Sequence, residues 1–196
     1  MILAIGYNPL ISKLQDIPNY TVYPRFFDDK RALLIERNYK KYLKELWLNK
    51  NKIEVALYPD NVNYILPVPR SIAYVVPIHN LSQLEIADNL RENNYKVIAG
   101  YASDPKYRDY TIHDFVKASK YEKWYLGIST KRELKEALFY SFNYGDITLM
   151  LLGRFPQLKD INYIKRMLKE LLQLISKPQG RQLTLYDFCG KLGSLR

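Results

Sequence analysis

The sequence contains one cysteine, Cys189. A single thiol excludes an intrachain disulfide and any cysteine-rich zinc site. Histidine is nearly as scarce: only His79 and His113 occur, and His113 is expected on a helix, so no credible metal-binding set can be assembled. There are 8 glycines, and no Gly-rich phosphate fingerprint follows any apolar run. A nucleotide-binding doubly wound fold therefore loses its main support. No apolar run approaches the roughly eighteen residues that span a bilayer, and the opening Met1-Ile-Leu-Ala-Ile-Gly6 is too short for a signal peptide. An intracellular protein is expected. Negative charge is also in deficit, with 20 Asp+Glu against 30 Lys+Arg.

What is present is positive charge and tyrosine. The net charge is +10, the pI is near 9.5, and 18 tyrosines are spread along 196 residues. Excess cationic charge favours polyanions, nucleic acid first, and aromatic rings among basic residues can stack on unpaired bases. A hydrophobic fraction of 47% with 26% charged residues is that of an ordinary globular domain. The length suits one sizeable core. Residues 1–180 read as a single domain and 181–196 as a tail.

Short apolar runs alternate with amphipathic stretches. Strands are expected at Met1–Gly6, Tyr20–Tyr23, Ile53–Tyr58, Ile72–Ile78, Val97–Gly100, from Trp124, and at Asp146–Leu152. Helices are expected at Asp28–Asn49, Leu81–Asn93, Thr111–Ser119, from Thr130 until Gly145 breaks it, and Ile161–Ile175, with Lys177–Gly180 as the final stop. Asn80 with Gln83, and Thr130 with Glu133, have capping-box spacing. The alternation points to βα units and a parallel sheet. The expected fold class is α/β: a reduced or incomplete (β/α) TIM-like barrel with a C-terminal helix, since a full barrel takes about 250 residues.

In a parallel barrel the ends of the strands converge on one rim, where active sites are built. Polar residues recur there: Asp60 and Asn61, His79 and Asn80, Ser103 and Asp104, Ser129 and Thr130. Asn80 and Thr130 are adequately explained as helix caps, and Ser103-Asp104-Pro105 is a sound turn. Asp146 differs, because it enters what reads as an apolar strand. A carboxylate there suits a nucleophile toward a sugar carbon or a general base; otherwise it bonds the preceding turn.

Tyr125-Leu126-Gly127-Ile128-Ser129-Thr130, Leu134, Glu136-Ala137 and Asp146 fall in an order that resembles the late-barrel segment of the tRNA-guanine transglycosylases. Members of this β/α-barrel family exchange a guanine base for a deazaguanine. The likeness spans about Ile53–Arg154 and is specific only over Tyr125–Asp146. The family's Cys/His zinc module is absent, as are its Asp-Ser-Gly-Gly-Phe and Gln-Gly-Gly segments, and Asp28 is the acid nearest in position to the missing general base. Shortened relatives associated with deazaguanine modification of DNA, often in viruses and mobile elements, are the nearer comparison.

The resemblance implies an enzyme that exchanges guanine for a 7-deazaguanine in DNA or tRNA through a covalent aspartyl-glycosyl intermediate. Asp146 would be the nucleophile, and Asp60 would join it as a catalytic residue that recognises the base. His79, Asn80, Gly100, Tyr101 and Ser129 would surround the base, with Tyr101 stacking on it. Lys106, Arg108 and Arg154 would hold flanking phosphates. The partners would be nucleic acid and a free purine or deazapurine base, with no cofactor and no metal. The alternatives are a non-catalytic, basic nucleic-acid-binding module on a degenerate barrel, and a small-molecule lyase or hydrolase.

Overall fold

A computed structural model describes residues 1–11, 20–29, 33, 38–60, 62, 64–153 and 160–176. Its strands are short and apolar on both faces, as they must be when helices cover one side and side chains fill the other. They are β1 (Ile2–Ile5), β2 (Tyr20–Val22), β3 (Phe26–Phe27), β4 (Val55–Leu57), β5 (Ala73–Ile78), β6 (Lys96–Ala102), β7 (Glu122–Leu126) and β8 (Tyr144–Asp146). All pair in parallel, in the order β2-β1-β8-β7-β6-β5-β4-β3.

The two edge strands, β2 and β3, are consecutive in the chain and separated only by residues 23–25. At this corner Tyr23 N–H still donates to Ile5 O on β1 (3.0 Å), while Arg25 O already accepts from Val55 N on β4 (3.0 Å). The Arg25 guanidinium adds a two-pronged ion pair to Glu54, at 2.9 and 3.0 Å. One bent segment thus touches both edges of the sheet. The curl is visible inside as well: Phe26 of β3 and Trp124 of β7 have three strands between them in the sheet, yet their ring centroids lie 4.8 Å apart. The architecture is a nearly closed, reduced TIM-like barrel, as the alternation of elements suggested.

The helices are α1 (Tyr39–Asn49), α2 (Leu84–Glu92), α3 (Ile112–Ala118), α4 (Lys131–Phe139), α5 (Thr148–Leu152) and α6 (Ile161–Ser176). Thr111 with Asp114 and Thr130 with Glu133 form capping boxes on α3 and α4; Asn80 with Gln83 does the same for a 3-10 turn leading into α2. Between the sheet and its outer layer, Tyr101, Tyr110, Phe115, Tyr125 and Phe142 pack as an aromatic cluster. The tail helix α6 buries Ile164, Leu168 and Leu171, and the Tyr20 hydroxyl donates to Leu168 O at 2.6 Å. None of the described helices is long and apolar enough to cross a membrane.

Three expectations need correction. Within the helix placed at Asp28–Asn49, Asp28, Asp29 and Asn38 are not helical; α1 runs over Tyr39–Asn49, and the Asn38 side chain caps it by accepting from Lys41 N at 3.1 Å. Phe26–Phe27, unassigned from the sequence, is a strand. The run Asp146–Leu152 is not a strand: β8 ends at Asp146 and Thr148–Leu152 turns as a helix. Gly145 sits inside β8 rather than breaking α4, and a Cβ there would lie 2.6 Å from Ile128 Cδ1, so a larger residue would require the Ile128 side chain to shift. The stop at Lys177–Gly180 and the 181–196 tail lie outside the described residues.

Candidate active site

A cleft of about 420 Å³ opens at the C-terminal ends of β4 to β8. Leu57, Tyr58, Pro77, Leu126 and Leu149 make apolar walls, and Asp60, His79, Ser103, Asp104, Tyr107 and Asp146 supply the polar groups. No Lys or Arg is among the described residues that line it. In a chain of net charge +10 this is a local reversal of sign. Its carboxylates offer acceptors to N–H donors, and its apolar walls can pack against a flat ring.

Asp146, the last residue of β8, is 2% exposed and lines the cleft. Its Oδ1 accepts from Thr148 N (2.9 Å) and from the Thr148 hydroxyl (2.5 Å). The same hydroxyl accepts from Gly6 N–H at 2.7 Å, so β1, α5 and the carboxylate are tied through one oxygen. Asp28, which follows β3, is 4% exposed and packs against Gly6 so tightly that a Cβ there would lie 2.0 Å from Asp28 Oδ2. Its Oδ1 accepts from Tyr7 N at 2.9 Å. Two buried carboxylates therefore flank the end of β1.

Across the cleft, His79 bridges two elements. Its Nδ1–H donates to Tyr107 O at 2.7 Å, and its Nε2 stands 3.3 Å from Asp60 Oδ1. With acceptors at both nitrogens the doubly protonated ring is favoured. The hydrogen bond to Asp60 raises the His79 pKa; burial opposes this, while the Asp60 charge and the Tyr107 carbonyl add to the rise. His79 O also accepts from Asp109 N (3.3 Å), Asn80 Nδ2–H donates to Asp109, and the Tyr110 hydroxyl donates to Ile78 O. The loop after β6 is thus clamped onto the end of β5.

Asp60, His79, Ser103, Asp104 and Asp146 meet in one cleft; Asn80, Gly100, Tyr101, Lys106, Arg108, Ser129 and Thr130 are not among the residues that line it. Tyr101 is 2% exposed and held in the aromatic cluster behind the sheet, so it cannot stack on a ligand. Gly100 is buried in β6, where a Cβ would meet Leu126 Cδ1 at 2.9 Å. Ser129 N–H and hydroxyl both donate to Glu133 Oε2 at 2.8 Å, and Asn80 caps its own turn. Arg108 bonds Ala102 O (2.9 Å) and Tyr110 O (2.5 Å) and lies over the Tyr101 ring, which ties it to its own loop. Lys106 is exposed on the same loop, and Arg154 lies outside the described residues. Among the described residues no group of three or more His, Cys, Asp or Glu side chains could hold a metal.

Two further residues belong to the site, Tyr107 in the cleft lining and Thr148 behind Asp146. Tyr107 is 64% exposed at the mouth, edge-on to His79, and is the aromatic ring placed to stack on a ligand. Its sequence signal was an aromatic two residues beyond a strand-end Asp104-Pro105 turn. Thr148, two residues after Asp146, has the spacing of a side chain that orients a carboxylate.

The chain aligns with the uncharacterized protein ORF192 of Acidianus two-tailed virus at 42% identity over 191 residues, covering 94% of this chain and 98% of the viral one. The chain belongs to the family of that viral protein. No family model and no solved structure matches it.

Proposed function

We propose that this chain is a transglycosylase-type enzyme that exchanges guanine for a 7-deazaguanine base in nucleic acid. The observation that carries this reading is Asp146: a buried carboxylate lining a largely apolar cleft, with one oxygen held by Thr148. Holding one oxygen by hydrogen bonds orients the carboxylate as a nucleophile. It attacks the anomeric carbon of the sugar, the carbon–nitrogen bond to guanine breaks, and the departing base takes a proton from water. The incoming base then displaces Asp146 and gives up its ring N–H proton to water. Asp60, backed by His79, accepts from the donor edge of the base, and Tyr107 covers its face. A base within duplex must first be flipped out.

The test is incubation with labelled guanine and either tRNA or duplex DNA. Label should enter one of them with the native protein and not with Asp146→Asn. Incorporation that survives the substitution sinks Asp146 as nucleophile.

The second reading is a non-catalytic nucleic-acid-binding module. It is favoured by the absence of Lys and Arg among the described cleft-lining residues despite the net charge of +10, which places cationic surface elsewhere. It requires salt-dependent binding, no base exchange, and indifference to Asp146→Asn.

A further inference from the structure

The opposite end of the barrel holds a second cleft, of about 480 Å³, at the starting residues of β4 to β8. Its chemistry is the reverse of the first. Arg91, Lys96 and Lys120 line it beside Tyr95, Tyr121 and Tyr144. Arg70 joins them, lying over the Tyr95 ring at 5.5 Å, and Arg91 lies over Tyr121 at 5.7 Å. A guanidinium already laid on a ring loses less freedom when its N–H fork engages an anion.

Two carboxylates stand among these cations, and both are occupied. Asp88 accepts from the Tyr121 hydroxyl and from Lys120 (2.9 Å). Glu122 accepts from the Tyr144 hydroxyl at 3.3 Å. Asp88 also helps push the Tyr121 phenol up to about 12, after burial as the main cause, so that hydroxyl stays a neutral donor. Arg70, Arg91 and Lys96 have no ion-pair partner among the described residues. The mouth keeps a positive surplus, and its volume falls within the range of small-ligand pockets.

We propose that this N-terminal mouth is a second binding site, for a phosphate-bearing ligand of nucleotide size. Arg91 and Lys96 contact the phosphate, and Tyr95 flanks the remainder. The phosphate comes either from a free nucleotide or from the backbone of a single strand, and the cleft chemistry at the other end plays no part in the inference.

The test is calorimetric titration of the full chain with GMP and with guanosine, alongside anisotropy of a fluorescent single-stranded oligonucleotide of about twelve nucleotides. GMP should bind, guanosine should bind at least about tenfold more weakly, and the double variant Arg91→Gln/Lys96→Gln should lose about tenfold in affinity. Glu122→Gln removes a repelling carboxylate and should tighten binding severalfold, a gain that misfolding cannot imitate. The loss caused by Arg91→Gln/Lys96→Gln should be the same whether or not the C-terminal cleft exchanges bases, which keeps the result separate from the fate of the base-exchange reading. If only the oligonucleotide binds, and the double variant weakens it, the phosphate source is the backbone and the site stands. Unchanged affinity of both probes in the double variant, or no binding of either at low salt, overturns it.

Discussion

Replacing Thr148 by valine tests whether one hydroxyl organises the C-terminal cleft. The substitution keeps the side-chain shape and deletes the oxygen that accepts from Gly6 N–H at 2.7 Å and donates to Asp146 Oδ1 at 2.5 Å. Two groups lose a partner. Stranding the partly buried amide costs about 1–2 kcal/mol, and losing a hydrogen bond to a carboxylate costs about as much again. Asp146 keeps its bond from Thr148 N at 2.9 Å, and the site is only part-buried, so the low end of the sum applies, about 2 kcal/mol. For a domain of this size that lowers Tm by about 4–8 °C. Thr148→Ser restores both bonds and loses only a methyl group, so its Tm should fall by less than half as much. Thermal melts by circular dichroism decide the stability claim. In the base-exchange assay valine should depress kcat more than it raises KM, because the loosened carboxylate still admits substrate but attacks it from poorer geometry. A valine variant with native Tm, or a serine variant as unstable as valine, refutes the assignment of that oxygen.

Other outcomes follow from the same geometry. The raised pKa of His79 means that its contribution to stability is complete below the unfolded value of about 6.5 and is lost as pH rises through the folded value. The stability gap between the native protein and His79→Gln should therefore be wider near about pH 5.5 than near about pH 8.5, read from urea midpoints; an equal gap disproves the Asp60 pairing. Tyr107→Ala should leave stability within about 0.5 kcal/mol, since the ring is 64% exposed, while weakening binding of free guanine by about 1–2 kcal/mol in a titration. Tyr101→Ala should do the opposite, costing about 3–5 kcal/mol of stability through the cavity it opens in the aromatic cluster. Gly6→Ala drives a methyl into Asp28 and should destabilise by about 1–3 kcal/mol, measured by denaturant unfolding; a neutral result argues against the close packing of that carboxylate.

The β/α order, most helix starts and the tail helix were legible because each rests on local chemistry. Capping boxes at Thr111, Thr130 and Asn80 are written in residues three apart, and α6 shows its apolar face over many turns. What failed was information that local sequence does not hold. Ile147-Thr-Leu-Met-Leu-Leu152 is too short and too uniformly apolar for periodicity to separate helix from strand, so Asp146 was read as opening a strand that it closes. Tyr101 was misplaced because both faces of a barrel strand are buried; alternation along β6 does not say which side chain faces the interior and which faces the helices. Of the site itself, Asp60, His79 and Asp146 were within reach as strand-end residues. Tyr107 carried a weaker signal, its place just beyond the Asp104-Pro105 turn, because its position at the mouth also depends on a loop clamped by His79.

The corner at residues 23–25 has a consequence for how the molecule behaves in crowded solution. An open parallel sheet exposes two rows of unpaired amides and carbonyls that can template strand addition from another chain. Here the two edges are segments of three and two residues, and the turn between them pairs to both sides. Neither edge is long enough to recruit a partner strand. The seam is held by the backbone, through Tyr23 N–H to Ile5 O and through Arg25 O accepting from Glu54 N and Val55 N, so removing the exposed Arg25–Glu54 ion pair should leave the corner closed.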